Sequence, residues 1–157
     1  MKIYILGKSR GLGYDLGELF KADGHQVIGI DRSTGIDIKI DYQNFLQDIE
    51  PDSLVIINAY ADGSQISVLE QLINRKNKVV VMGSIAARYQ DSSMLEYSKN
   101  KKDLEDYFMH QAIETKKSDL LILNLTGKSY LNSKLIYNSI NFWLLNTDII
   151  AFSYRTK

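Results

Sequence analysis

Tyr97 and Lys101 are the residues whose types and spacing point most directly to acid–base chemistry. Residues four positions apart share a helix face, so a helix over this segment would make the two side chains neighbours. A lysine ammonium beside a phenol stabilises the phenolate and lowers the pKa of the phenol from about 10. Such a phenol can donate or accept a proton near neutral pH. Taken alone, however, Tyr-x-x-x-Lys is common on helix surfaces, and here it lies in a lysine-rich run.

Ser84 adds a third polar group to this pair. It follows the predicted strand 78–82, and its hydroxyl could hydrogen-bond the oxygen atom that exchanges a proton with Tyr97. The combination of Ser84, Tyr97 and Lys101 favours a catalytic role over a surface tyrosine.

A glycine cluster near the N-terminus, GKSRGLG over residues 7–13, is typical of a phosphate-binding loop. It follows a predicted buried strand and precedes a predicted helix. Glycines permit a tight turn and a close approach of the backbone to a pyrophosphate, and the helix N-terminus offers free N–H groups. Asp31 ends the next predicted strand, Gln26–Ile30, where a carboxylate can accept hydrogen bonds from ribose hydroxyls. The alternative is a glycine-rich turn in an ordinary strand–helix–strand unit.

Apolar segments alternate with helical patterns along the whole chain. Strands are predicted at residues 2–6, 26–30, 36–40, 54–58, 78–82, 120–125 and 148–154, and later helices at 42–49, 64–74, 94–115 and 132–145. This alternation predicts an α/β fold, a doubly wound parallel sheet (Rossmann fold) of about seven strands with helices on both faces. The carboxyl ends of the strands would then gather the glycine cluster, Asp31, residues 58–61, Ser84 and Thr126-Gly127 in one crevice.

Length and composition limit the remaining possibilities. The 157 residues predict a single domain over residues 1–157, and 19 basic residues balance 19 acidic ones. Because no charge excess exists, we expect no binding to nucleic acid. No apolar run approaches the ~20 residues of a membrane span, so we also expect no membrane partner. The chain has no cysteine and leaves no room for a signal peptide before its first strand, so we expect a cytoplasmic protein without a metal site.

These motifs together resemble the short-chain dehydrogenase/reductase superfamily. Gly7-x-x-x-Gly11-x-Gly13 is similar to the cofactor glycine motif of that superfamily, and Asn58-Ala59-x-Ala61 resembles its Asn-Asn-Ala-Gly signature. Ser84 and Tyr97-x-x-x-Lys101 fall where the superfamily keeps its catalytic residues. The chain is shorter than usual members, and no residue matches the Asn that often completes their catalytic set. The stretch from Gly24 to Ala61 looks more like the dTDP-4-dehydrorhamnose reductase branch, so we expect a minimal, atypical member.

The resemblance implies a role for each candidate residue. Tyr97 would be the general acid/base, Lys101 would support it and hold the nicotinamide ribose, and Ser84 would orient the substrate carbonyl. The expected cofactor-binding residues are Gly7, Ser9, Arg10, Gly11, Leu12, Gly13, Asp31, Arg32, Asn58, Ala59, Ala61, Lys101, Thr126 and Gly127. A carboxylate at Asp31 repels a 2′-phosphate, which favours NAD(H) over NADP(H), although Arg10 and Arg32 would suit that phosphate.

Three functions remain open from the sequence. The first is an NAD(P)-dependent oxidoreductase that moves hydride between the nicotinamide and a carbonyl or secondary alcohol of a small molecule. The second is a sugar-nucleotide epimerase or reductase with the same three catalytic residues. The third is a non-catalytic, NAD(P)-binding regulatory module. The long helix from residue 94 is similar to the dimer-forming helix of the superfamily, which implies a homodimer or homotetramer.

Overall fold

The computed structural model describes residues 1–88, 94–115, 119–126 and 132–146. In this part of the chain, five parallel strands form one sheet in the order β2-β1-β3-β4-β5. The strands are β1 (Lys2–Leu6), β2 (Gln26–Ile30), β3 (Leu54–Ile57), β4 (Lys78–Ser84) and β5 (Leu120–Leu125). The helices are α1 (Gly11–Ala22), α2 (Tyr42–Gln47), α3 (Ser64–Leu72), α4 (Leu95–Thr115) and α5 (Ser133–Leu145), with short 3₁₀ helices at Arg32–Thr34 and Ile85–Arg88.

Helices cover both faces of the sheet, and this explains why the strands are nearly continuous apolar runs. All four residues of β3 are buried. Alternate strand residues face opposite sides: Ile56 packs with Leu16 of α1 and Ile140 of α5, whereas Ile57 packs with residues of α2, α3 and α4. Burial of these apolar side chains fixes the sheet and thereby the positions of the strand ends.

The structure confirms the predicted α/β class and parallel sheet but changes the strand count. The strand predicted at 36–40 is wrong, and the one predicted at 148–154 lies outside the described residues. Residues 38–40 form a turn, in which the carboxylate of Asp37 accepts from the N–H of Lys39 at 3.0 Å and that of Asp41 accepts from the N–H of Asp37 at 3.1 Å. These local bonds replace a strand ladder. Ile40 is accordingly 76% exposed.

The strand order places the topological switch point between β1 and β3. The chain leaves β1 to form β2 on one side of it and then returns to form β3 on the other. In open parallel sheets the connections diverge at such a point and leave a crevice at the carboxyl ends of the strands. Among the residues that the structure describes, no helix is both long and apolar enough to cross a membrane.

Candidate active site

A cavity of about 960 Å³ opens at this crevice. Residues that follow or end β1, β2, β3, β4 and β5 line it, together with the first turns of α4. The cavity brings together most of the residues predicted for the site: Gly7, Ser9, Arg10, Asp31, Arg32, Asn58, Ala59, Ala61, Ser84, Tyr97, Lys101 and Thr126. Gly127 lies outside the described residues. The predicted cofactor end and the predicted catalytic end therefore belong to one continuous space.

Gly7 makes the tight turn out of β1. Its φ of +81° is in the left-handed region that favours glycine, and its N–H donates to the carbonyl oxygen of Ile30 at 2.8 Å. A Cβ atom at Gly7 would come within 2.8 Å of the Ala59 Cβ. The loop after β1 therefore lies directly against the loop after β3, and both border the cavity.

The other predicted loop residues support this turn from outside the cavity. Gly11 begins α1 with a φ of +57°, and the side chain of Leu12 is buried in the core. A Cβ atom at Gly13 would lie 2.1 Å from the carbonyl oxygen of Gly7, so only glycine permits this contact between helix and loop. These three residues thus position the loop, and none of them lines the cavity.

The N-terminus of α1 faces the glycine loop without an internal cap. Arg10 is the N-cap residue, no side chain caps the helix by a hydrogen bond, and the first turn holds no acidic residue. The first N–H groups of a helix lack intrahelical partners and carry the positive end of the helix dipole. This end of α1 is therefore suited to a phosphate group.

The Asp31 carboxylate accepts more hydrogen bonds than the sequence indicates. Its carboxylate accepts from the Ser33 N–H at 2.8 Å and from the Ser33 hydroxyl, and also from the backbone N–H groups of Lys8 and Ser9 in the glycine loop. Burial opposes ionisation of this carboxyl, but these hydrogen bonds outweigh it and hold the pKa of Asp31 below its ordinary value. Asp31 therefore organises the glycine loop as well as lining the cavity.

Asn58 connects the two loops and leaves one atom unsatisfied. Its Nδ2 donates to the carbonyl oxygen of Gly7 at 3.1 Å. Its Oδ1 is buried and has no hydrogen-bond partner among the residues that the structure describes. Buried polar atoms are nearly always paired, so this unsatisfied oxygen is unusual for a residue that borders the cavity.

Ser84, Tyr97 and Lys101 meet at the opposite end of the cavity. The Ser84 Oγ accepts from the N–H of Ala86 at 3.2 Å, which leaves its hydroxyl proton available for another oxygen. Lys101 Nζ lies over the Tyr97 ring, 5.7 Å from its centroid. Helix α4 supplies both side chains from one face, as the spacing predicted, and β4 supplies Ser84.

Lys101 is buried, with only 4% of its surface exposed. Its ammonium donates to the Gln65 Oε1 at 2.6 Å and to the carbonyl oxygen of Met82 at 2.8 Å. Burial lowers the pKa of Lys101 to about 8. The amine consequently titrates near the physiological range instead of far above it.

Two residues of this site were not among those predicted from the sequence. Gln65 reaches Lys101 from α3, 36 positions earlier in the chain. Tyr60 also lines the cavity: its ring lies 4.9 Å from that of Tyr97, and its hydroxyl accepts from the Asn100 side chain at 3.0 Å. The position of Tyr60 directly after Asn58-Ala59 was the available signal, whereas nothing local to Gln65 indicates its contact.

Solved structures with closely similar folds fit this architecture. A small-chain dehydrogenase in complex with NADPH aligns with a TM-score of 0.77 at 11% identity, covering 98% of this chain and 96% of the other. The 3-alpha-hydroxysteroid dehydrogenase from Pseudomonas sp. B-0831, complexed with NADH, aligns with a TM-score of 0.72 at 17% identity, covering 96% and 92%. The chain has the short-chain dehydrogenase/reductase fold.

The dTDP-4-dehydrorhamnose reductase branch, which the sequence resembles over residues 24–61, also has this fold. A dTDP-4-dehydrorhamnose reductase from Clostridium acetobutylicum aligns with a TM-score of 0.67 at 13% identity, covering all of this chain and 75% of the other. No protein-family model and no curated protein sequence matches the chain. Structural likeness at these identities gives the fold, and function must be argued from the site.

Proposed function

We propose that this chain is an NAD(P)-dependent oxidoreductase of the short-chain dehydrogenase/reductase type. It would move hydride between a nicotinamide and a carbonyl or secondary alcohol, with Tyr97 as general acid/base. The observation that carries the proposal is the single cavity that joins the glycine loop and Asp31 to Ser84, Tyr97 and Lys101. Fold neighbours that were solved with NADH or NADPH add support.

The residues at the glycine-loop end fit a dinucleotide. The uncapped N-terminus of α1 suits the pyrophosphate, and glycine at positions 7 and 13 lets the loop pack closely against Ala59 and the start of α1. Asp31 and Asn58 both border the part of the cavity in which a ribose would lie. We assign these residues to cofactor binding, with NAD(H) favoured over NADP(H) because the Asp31 carboxylate repels a 2′-phosphate.

The residues at the other end fit proton transfer to a substrate oxygen. A bound nicotinamide supplies the hydride donor or acceptor. In the reducing direction the Tyr97 hydroxyl gives its proton to the carbonyl oxygen as the carbonyl carbon gains hydride, and the Ser84 hydroxyl donates a hydrogen bond to the same oxygen. The Lys101 charge over the Tyr97 ring stabilises the negative charge that remains on Tyr97. In the oxidising direction Tyr97 takes the proton back.

A sugar-nucleotide reductase or epimerase is the second candidate. The resemblance over residues 24–61 and the fold likeness to a dTDP-4-dehydrorhamnose reductase favour it. It uses the same proton-transfer residues, so the substrate alone distinguishes it from the first candidate.

The homodimer or homotetramer inferred from the family resemblance remains a prediction.

A hydride-transfer screen tests the proposed function. The purified protein is mixed with NADH or NADPH and panels of ketones, aldehydes and nucleoside-diphosphate keto-sugars, and loss of the reduced-nicotinamide absorbance is followed. We expect turnover with at least one panel, and none with Tyr97→Phe, which should still bind the nucleotide. Tyr107→Phe, on the same helix but outside the cavity, is the matched control and should keep full activity. Equal turnover by Tyr97→Phe and the wild type would overturn the assignment.

A further inference from the structure

The ammonium group of Lys101 is buried without a carboxylate partner in the described part of the chain. Buried charges in proteins are ordinarily paired with an opposite charge. Here the two acceptors are neutral, the amide oxygen of Gln65 and the backbone oxygen of Met82. The charged state of Lys101 therefore depends on the placement of two uncharged dipoles.

The hydrogen-bond partners of Gln65 fix the orientation of its amide. Its Nε2 donates to the carbonyl oxygens of Ile57 at 3.3 Å and Met82 at 3.4 Å, and its Oε1 accepts from Lys101 at 2.6 Å. Carbonyl oxygens only accept and an ammonium only donates, so the flipped amide would lose all three bonds. The amide oxygen of Gln65 thus faces Lys101 by necessity.

Gln65 lies at the junction of four elements. It is the second residue of α3, only 2% of its surface is exposed, and its bonds reach the carboxyl end of β3, the backbone of β4 and the side chain of α4. The Met82 carbonyl oxygen accepts from both Gln65 and Lys101, which closes a triangle. This triangle of hydrogen bonds holds the Lys101 ammonium near the carboxyl ends of β3 and β4.

We propose that Gln65 is a positioning residue for Lys101: its amide oxygen holds the ammonium at the carboxyl end of β4, within 6 Å of the Tyr60 and Tyr97 ring centroids, and sets how readily that amine carries its charge. The catalytic meaning of this contact rests on the proposed function, in which Lys101 supports Tyr97. The contact itself and its effect on the amine do not depend on that function.

Other groups near the Lys101 amine are two aromatic rings and, further along α4, a carboxylate that has partners of its own. Its Nζ lies 5.4 Å from the Tyr60 ring centroid and 5.7 Å from that of Tyr97. One helical turn further along α4, Glu105 is ion-paired with Arg88 of the second 3₁₀ helix at 2.6 Å and also accepts from Asn124 of β5. Burial lowers the pKa of Lys101 to about 8, and a hydrogen bond to the ammonium opposes that effect.

The test is a titration of Lys101 by carbon-13 NMR of ε-labelled lysine in the full chain. The signal is assigned by its loss in Lys101→Met. In Gln65→Met, which keeps side-chain length but removes the acceptor, we expect the pKa of Lys101 to fall by about one pH unit. In Gln65→Glu, a negative charge replaces the amide, so the pKa of Lys101 should rise. Gln71, exposed on the same helix, provides matched controls: Gln71→Met and Gln71→Glu should leave it unchanged.

Opposite shifts in the two Gln65 variants would support the proposal, because simple loss of packing would move both in one direction. No shift in either variant, or shifts of the same sign, would overturn it. If Gln65→Met does not fold, the near-isosteric Gln65→Glu alone decides, since an unmoved pKa there contradicts the proposal. Nicotinamide nucleotide binding is measured on the same samples. A wild type that binds no nucleotide removes the proposed function while leaving the titration interpretable.

Discussion

The ring of Tyr60 packs edge-on against the ring of Tyr97, with 4.9 Å between centroids and an interplanar angle of 71°. The two residues come from different elements, the loop after β3 and the first turn of α4. Lys101 Nζ lies within 6 Å of both rings, at 5.4 Å and 5.7 Å from the centroids. The proposed acid/base is therefore held from two sides by aromatic contact and by a buried cation.

Tyr60 should matter through its ring and not through its hydroxyl. An edge-to-face aromatic pair contributes about 0.5–1.5 kcal/mol beyond area burial, so Tyr60→Ala should lower kcat by up to about tenfold as Tyr97 loses its support. Tyr60→Phe keeps the ring contact and loses only the bond from Asn100, so its kcat should stay near that of the wild type. Steady-state kinetics of both variants check this, and equal impairment of the two would contradict it.

The glycine loop should tolerate no side chain at Gly13. A Cβ atom there meets the backbone oxygen of Gly7 at 2.1 Å, so Gly13→Ala should lower the free energy of unfolding by about 2 kcal/mol and weaken nucleotide binding. Gly17→Ala is the control on the same helix. A Cβ atom at Gly17 would meet only the flexible Lys8 side chain, 2.6 Å from its Cε, and alanine favours helix, so the stability of this variant should match or exceed that of the wild type. Urea unfolding of both variants measures the difference, and similar losses would refute the packing argument.

Asp31 should control the choice between the two nucleotides through its charge. Asp31→Asn keeps one acceptor oxygen, which can still bond Ser33, while the repulsion of a 2′-phosphate disappears. We expect the ratio of NADPH to NADH affinity to rise in this variant. Asp31→Ala, which removes both acceptor oxygens and so every bond to Ser33, Lys8 and Ser9, should instead weaken the binding of both nucleotides. Fluorescence titrations of the two variants separate charge from loop support, and an unchanged ratio in Asp31→Asn would exclude the charge effect.

The lowered pKa of Lys101 predicts a specific dependence of stability on pH. Between pH of about 8 and the ordinary value of 10.5, the unfolded chain binds a proton that the folded chain does not. The free energy of unfolding should therefore rise with pH across this window, by on the order of 3 kcal/mol at most, and the gain is lost as pH falls through about 8.

The difference between the wild type and Lys101→Met isolates this effect. The variant should lack the rise, whereas exposed lysines whose pKa values are raised by carboxylate partners contribute equally to both proteins and cancel. Urea unfolding at several pH values gives both curves. Parallel curves for the two proteins would contradict the burial of a charged Lys101.

The features of the candidate site that could be predicted are those that depend on residues close together in the sequence. The glycine spacing, the acid after the second strand and the four-residue step from Tyr97 to Lys101 follow from neighbouring residues, and the strand ends bring them together. The third strand was wrong because the alternation of Ile36, Ile38 and Ile40 gave no indication that aspartate side chains would bond the backbone there. The bond from Lys101 to Gln65 depends on the packing of α3 against α4, which no local pattern expresses.

Titration of the purified wild-type protein with NADH and with NADPH, followed by nicotinamide fluorescence, tests directly whether the cavity binds a nicotinamide nucleotide. We expect saturable binding of NADH with a dissociation constant of roughly 1 μM to 1 mM, the range usual for the KM values of enzymes, and weaker binding of NADPH. If a protein shown to be folded bound neither nucleotide, the cofactor-binding role of the glycine loop and the oxidoreductase function proposed from it would both be contradicted.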